Sequence, residues 1–100
     1  MTTTLSNNAG TIEVTIAGRF TTDEAAPFLK DIEPLMEERG KTVVIDLAGL
    51  EFISIAGIRC FVMLLKACTA NSTALRLKNL TPQIKDIFTL TALIDKFEVE

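Results

Sequence analysis

The sequence predicts an α/β domain, a mostly parallel sheet of four to five strands with helices packed on it. Three observations carry that reading. Strand-like and helix-like segments alternate along the chain, an order that implies right-handed crossovers and parallel pairing. One hundred residues suit one domain, so residues 1–100 are read as a single unit. The balance of 48% apolar and 23% charged residues can build a core, which a disordered composition cannot.

Residues 1–10, MTTTLSNNAG, are polar and are read as a frayed end or a short edge strand. TIEVTIAG alternates Ile12, Val14 and Ile16 with Glu13 and Thr15, the pattern of a half-buried strand, expected to end at Gly18. TTDEAAPFLKDIEPLMEERG predicts a helix. Thr21 and Glu24 have capping-box spacing, and Asp23 suits the positive helix start. Ala25, Phe28, Leu29, Ile32, Leu35 and Met36 share one apolar face. Gly40 is the expected stop. Pro27 falls in the first turn, and Pro34 is expected to kink the helix.

TVVIDL is apolar apart from its ends and Asp46, the pattern of a central strand covered on both faces. From Gly57 a second helix sets Ile58, Phe61, Val62, Leu65, Cys68 and Thr69 toward the core. ALRLK is a further strand, with Leu75 and Leu77 on one face. TPQIKDIFTL opens a third helix, with Thr81 as N-cap, Pro82 at the first helical position, and Ile84, Ile87 and Phe88 as core stripe. KFEVE is read as a last short strand.

Charge and residue types exclude several functions. The net charge is −3, and the ten Lys and Arg are scattered among thirteen acids. No basic face exists to displace phosphate counterions, so no nucleic-acid partner is expected. Without His and without a close Cys pair, no metal is expected. No Gly-rich phosphate cradle is present, so no nucleotide and no other cofactor is expected. Cys60 and Cys68 lie eight residues, about 12 Å, apart on one helix, too far for a disulfide. The N-terminus has no signal-peptide pattern. The longest apolar run, Phe61 to Leu65, is far below the roughly 20 residues of a membrane span. A cytosolic chain without direct membrane insertion is expected.

In open α/β sheets, sites lie beyond the C-terminal ends of the strands. GRFTTD and GLEFISIAG both point to that edge. The latter has no acid–base pair, no nucleophile with a base, and no metal set, so no enzyme is expected.

Here the residues resemble a known family. AGRFTTDEAAPFL, then VVIDLAGLEFISIAGIRCFVMLL, then LKNLTPQIKDIFTLTALIDKF are similar to the STAS domain of bacterial anti-sigma factor antagonists, over roughly Thr11 to Val99. The spacing of Asp46–Leu47 to Gly57–Ile58 is the most specific part. The resemblance implies a protein that binds an anti-sigma factor or kinase-like partner. In that family a Ser just before the Gly is phosphorylated by the partner kinase, and the added charge breaks the pairing. Gly57 matches the family Gly. Ala56 stands at the phosphoserine, Ile55 at the preceding Ser or Thr, Ser54 at the Asp, and Thr21 where the upstream loop often has Asp. No phosphorylation is therefore expected at the family position. Ser54 keeps a hydroxyl but is displaced by two residues, and it is read as a helix-capping or turn residue.

The resemblance implies partner switching through Thr21, Thr22, Ser54, Ile55, Ala56, Gly57, Ile58, Arg59 and Met63, without the usual phosphate control. The helix adds its own argument. Its side away from the core is expected to hold Arg59, Cys60, Met63, Lys66 and Ala67, with Leu64 at the border. Such a face, apolar with a cationic stripe, suggests protein contact or a homodimer. The alternative reading is a STAS accessory subunit of a membrane transporter of the ABC lipid type, which the Ala56–Gly57 pair fits. Asp46 is read as structural and Cys60 as an inert buried thiol.

Overall fold

The alternating stretch near the N-terminus forms a strand, but a longer one than its alternation predicts. In the computed structural model, which describes residues 1–99 and leaves out the side chains of Met36, Ile94 and Glu98, β2 runs from Thr11 to Phe20. It pairs antiparallel with β1, Thr2–Asn8. The two are joined by Ala9 and Gly10, both at positive φ (49° and 90°), the backbone that suits a two-residue hairpin. Expected to end at Gly18, β2 continues two residues further, to Phe20, because its pairing with β3 continues.

After a 3-10 turn, Thr22–Glu24, α1 spans Ala25–Met36. Phe28, Ile32 and Leu35 are buried, with Ala25 and Leu29 packed partly against them. The Met36 side chain lies outside the described residues. The capping box does not form. The Thr21 side chain makes no cap hydrogen bond, and the Glu24 backbone N–H instead donates to the Thr21 carbonyl at 3.0 Å. Glu24 itself becomes the residue before α1. The helix stops before the Glu37-Glu38-Arg39 run rather than at Gly40.

β3 covers Thr42–Ile53, so most of the supposed loop GLEFISIAG is strand. Its register with β2 shifts twice, between Thr15 and Ala17 and between Gly18 and Arg19. Each shift leaves one extra residue on β3, a bulge that re-aims the side chains beyond it. The buried positions accordingly change from Val43, Ile45 and Leu47 to Leu50 and Ile53. Then come α2, Ile55–Ala70; β4, Ala74–Lys78; α3, Pro82–Leu90; a 3-10 turn, Ile94–Lys96; and β5, Glu98–Val99. Glu100, the end of the predicted KFEVE strand, lies outside the described residues. Thr81 caps α3, its hydroxyl accepting from the Ile84 N–H at 3.4 Å.

The sheet order is β1-β2-β3-β4-β5, with β2 to β5 parallel. The helices α1, α2 and α3 lie on one face. Phe61 of α2 packs its ring near Phe28 of α1, Phe88 of α3, Phe20 of β2 and Phe97 before β5. The expectation that β3 is covered on both faces is therefore wrong. Val44 is buried, yet it stands outside the core cluster that holds Val43 and Ile45. It sits on the open face between Glu13 of β2 and Arg76 of β4, where long side chains cover an apolar neighbour with their stems. Beside it Glu13 pairs with Lys78 at 3.5 Å.

Candidate functional site

The C-terminal ends of β2 and β3 meet at one point. The Ser54 N–H donates to the Phe20 carbonyl at 2.8 Å, which fixes the start of α2 beside the chain leaving β2. The Ser54 hydroxyl then accepts from the Gly57 N–H at 3.2 Å, capping α2 in the ordinary way for a serine in extended backbone. This turn consequently has one residue, not nine. The 3-10 turn after β2 rests against α2, and the Cys60 thiol approaches the Ala25 carbonyl at 3.8 Å. GRFTTD and SIAGI thus form one edge.

Gly57 is buried and its lack of a side chain is a matter of space. A Cβ there would fall 2.8 Å from Ile53 Cγ1 and 2.8 Å from Phe20 Cδ1, closer than packed atoms sit. The helix is seated directly on the two strand ends. This seating leaves Ile55, the first residue of α2, 72% exposed. Ala56 and Ile58 are half-buried, and Thr22 and Arg59 are exposed. Met63, two helical turns on, is 49% exposed. Thr21 is half-buried at the start of its 3-10 turn.

The face predicted for α2 needs correction. Cys60 and Leu64 are buried, because α1 packs on that side of the helix. Ala67 is half-buried, and Thr69, assigned to the core, is exposed. Ile55, Arg59, Met63 and Lys66 form one exposed stripe of α2 at steps of three and four, with Thr69 and Ala70 exposed beyond it. Burial pushes the Cys60 and Cys68 thiols up, and both are free.

Two contributors escaped the sequence reading. Phe52 is 36% exposed, next to Ser54 in the chain but for Ile53. The Arg19 guanidinium lies over its ring at 4.7 Å, a cation–π contact between paired strand positions. Alternation alone hides both, since the second register shift sets which side chains on β3 face outward. Asp46 lies on the open sheet face and serves the fold. Its Oδ1 accepts from the Ala48 N–H at 3.0 Å and the Asn79 amide at 3.1 Å. Those two bonds, with Lys78 nearby, hold its carboxyl below the ordinary value despite slight burial.

Among the described residues, no cluster of three or more His, Cys, Asp or Glu is placed to hold a metal. No helix among them is long and apolar enough to cross a membrane. The arrangement is a surface: Ile55 and Met63 stand exposed on α2 with Arg59 between them, and Phe52 is exposed under Arg19 near the end of β3.

Comparison with known proteins agrees with this architecture. A family described as "Mlab, STAS domain" matches residues 3–97. No curated protein matches the chain. An anti-sigma factor antagonist from Mycobacterium paratuberculosis superposes with a TM-score of 0.86 at 19% identity, over 98% of this chain and 83% of that one. An anti-sigma-factor antagonist (STAS) domain protein from Planctomyces limnophilus gives 0.87 at 16% identity, over 98% and 87%. A sulfate transporter family protein from Wolinella succinogenes gives 0.78 at 19% identity, over 92% and 77%. At these identities the likeness is one of fold.

Proposed function

Because the chain belongs to the STAS domain family, we propose that it is an anti-sigma factor antagonist-like regulator that works by binding a protein partner rather than by catalysis. The observation that carries this is the exposed apolar stripe that α2 presents from its start at the sheet edge. Ile55 is 72% and Met63 49% exposed on one stripe of α2, with Arg59 between them. A large apolar side chain left in water at a helix start is more costly than a polar one there. Exposed apolar groups rimmed by charge mark contact surfaces, and Met adapts to varied partners. The docking surface is Ser54 to Arg59 and Met63, flanked by Thr21 and Thr22, with Phe52 and Arg19 added.

Ala56 has no hydroxyl, and the Ser54 hydroxyl is committed to its cap. Partner release therefore needs a signal other than phosphate at this turn. The partner is an ATPase-type anti-sigma factor or a related kinase-like protein in the same cell. The test is direct binding of such a purified factor to the chain and to Ile55→Glu and Met63→Glu. Both side chains are exposed, so stability should hold within about 0.5 kcal/mol while binding falls. Unchanged binding by both variants would refute the assigned surface. Incubation with the kinase and ATP should add no phosphate at residues 54–57, and a phosphoserine mapped to Ser54 would overturn the switch-less reading.

A second reading is an accessory subunit docking on the cytosolic ATPase of a membrane transporter. The family description naming Mlab and the transporter-family neighbour favour it. Neighbouring genes separate the two: sigma and anti-sigma genes for the first, transporter ATPase and permease genes for the second.

A further inference from the structure

Beside the exposed stripe of α2, and sharing Lys66 with its far end, lies a groove that the docking surface of Ser54 to Arg59 and Met63 does not use. It encloses about 400 Å³ and is lined by Val62, Leu65, Lys66, Thr69, Ala70, Leu93 and Lys96. The α2 side forms a floor running from Val62 to Ala70, eight residues or about 12 Å of helix. The opposite wall comes from the segment after α3. Leu93 is itself anchored, its N–H donating to the Phe88 carbonyl at 2.9 Å. The lining is almost wholly apolar, and its polar members are two ammonium groups and one hydroxyl. Among the described residues neither Lys66 nor Lys96 has an ion-pair partner, and no carboxylate lines the groove. In a chain of net charge −3, this is a local concentration of positive charge beside apolar surface.

We propose that this groove binds an anionic amphiphile with an unbranched aliphatic tail, a free medium-chain carboxylate. The tail lies along Val62, Leu65, Ala70 and Leu93, and the carboxylate meets Lys66 and Lys96, with the Thr69 hydroxyl as a further donor. The volume falls in the range of small-molecule sites, which pair apolar walls with a few polar groups that fix orientation. Two cations disfavour a second copy of the same face, since like charges would oppose each other. The groove is short and walled at one side, so it suits a chain-like ligand better than a flat lipid surface. The proposal does not depend on which protein docks at the Ser54 turn.

Decanoate, kept below its micelle-forming concentration, is the probe. Amide chemical shifts of the whole chain are followed during titration, beside decanol and decyltrimethylammonium. Decanoate should move the amides of residues 62–70 and 93–96 in a saturable way, with decanol binding about tenfold more weakly for loss of the charge-assisted contacts. Lys66→Gln with Lys96→Gln, both at the surface, should keep the fold's spectrum and abolish the preference for acid over alcohol. Equal binding of all three probes would overturn the proposal. So would shifts centred on exposed apolar residues away from both surfaces, Leu5, Leu90 and Val99. Binding to phosphatidylglycerol vesicles without binding to free decanoate would assign the groove to a membrane surface. Concentration-dependent shifts of the same amides without any probe would assign it to self-association. Either result overturns it.

Discussion

At Ser54 the hydroxyl is already engaged: it accepts from the Gly57 N–H and caps α2. Ser54→Ala should cost about 1 kcal/mol, read as a lower urea midpoint with an unchanged slope, while Ser54→Asp should retain the cap. Gly57→Ala should cost more, about 1–3 kcal/mol, because the new methyl meets Ile53 and Phe20. Asp46 makes a pH prediction. The Ala48 N–H, then the Asn79 amide, hold its carboxyl below the ordinary 3.8. A depressed carboxylate contributes stability that is fully present above its unfolded pKa. That stability is lost as pH falls through the folded value. Wild type should therefore exceed Asp46→Asn at neutral pH, and the gap should close as pH drops below about 3.8. A gap that widens in acid would contradict the assignment.

At the scale of one element, α2 divides its circumference three ways. Gly57, Cys60, Phe61, Leu64 and Cys68 are buried; Ile55, Arg59 and Met63 face solvent; Val62, Leu65 and Thr69 line the groove. The buried arc is testable through its thiols. Burial leaves Cys60 and Cys68 at 2% and 1% exposure and keeps them protonated well above neutrality. Alkylation by iodoacetamide at pH 7 should wait for unfolding and accelerate with denaturant. Rapid reaction of Cys60 in the native chain would place it on the exposed face that helical periodicity suggests. That suggestion fails for a physical reason. Periodicity locates an apolar arc on a helix, but α1 widens the covered arc beyond what the sheet alone would bury.

For the whole molecule, the aromatic rings hold the helical layer together. Phe61 lies within 5.6 to 6.5 Å, centroid to centroid, of Phe20, Phe28, Phe88 and Phe97, so one side chain joins three helices to the sheet. Phe61→Ala should cost about 3–5 kcal/mol, a large share of the roughly 5–15 kcal/mol that keeps a domain folded. Equilibrium unfolding in urea would show it, and a loss below about 1 kcal/mol would contradict the role of Phe61 as the shared contact of the layer. The opposite face of the sheet needs no such layer, because Thr4, Glu13, Thr15 and Arg76 keep it polar and exposed. Val44, buried on that face, is sheltered by its cross-strand neighbours.

Local chemistry determined much of this protein from the sequence by itself. The strand–helix order, the Thr81 cap, the core stripes of α1 and α3, and the absence of a hydroxyl at residue 56 all depend on neighbours within a few positions. They are legible for that reason. The adjacency of GRFTTD and SIAGI was legible too, since parallel strands put their ends on one edge. The tertiary structure alone decided the two register shifts that carry β3 to Ile53, the exposure of Phe52 under Arg19, the burial of Cys60 against α1, and the one-sided placement of the helices. Each of these depends on which distant segment lies alongside, and neither hydrophobic period nor spacing encodes that. Ser54 joins the two levels. A serine before a helix predicts its cap, but only the bond from its N–H to the Phe20 carbonyl sets where α2 begins and which residues it turns outward.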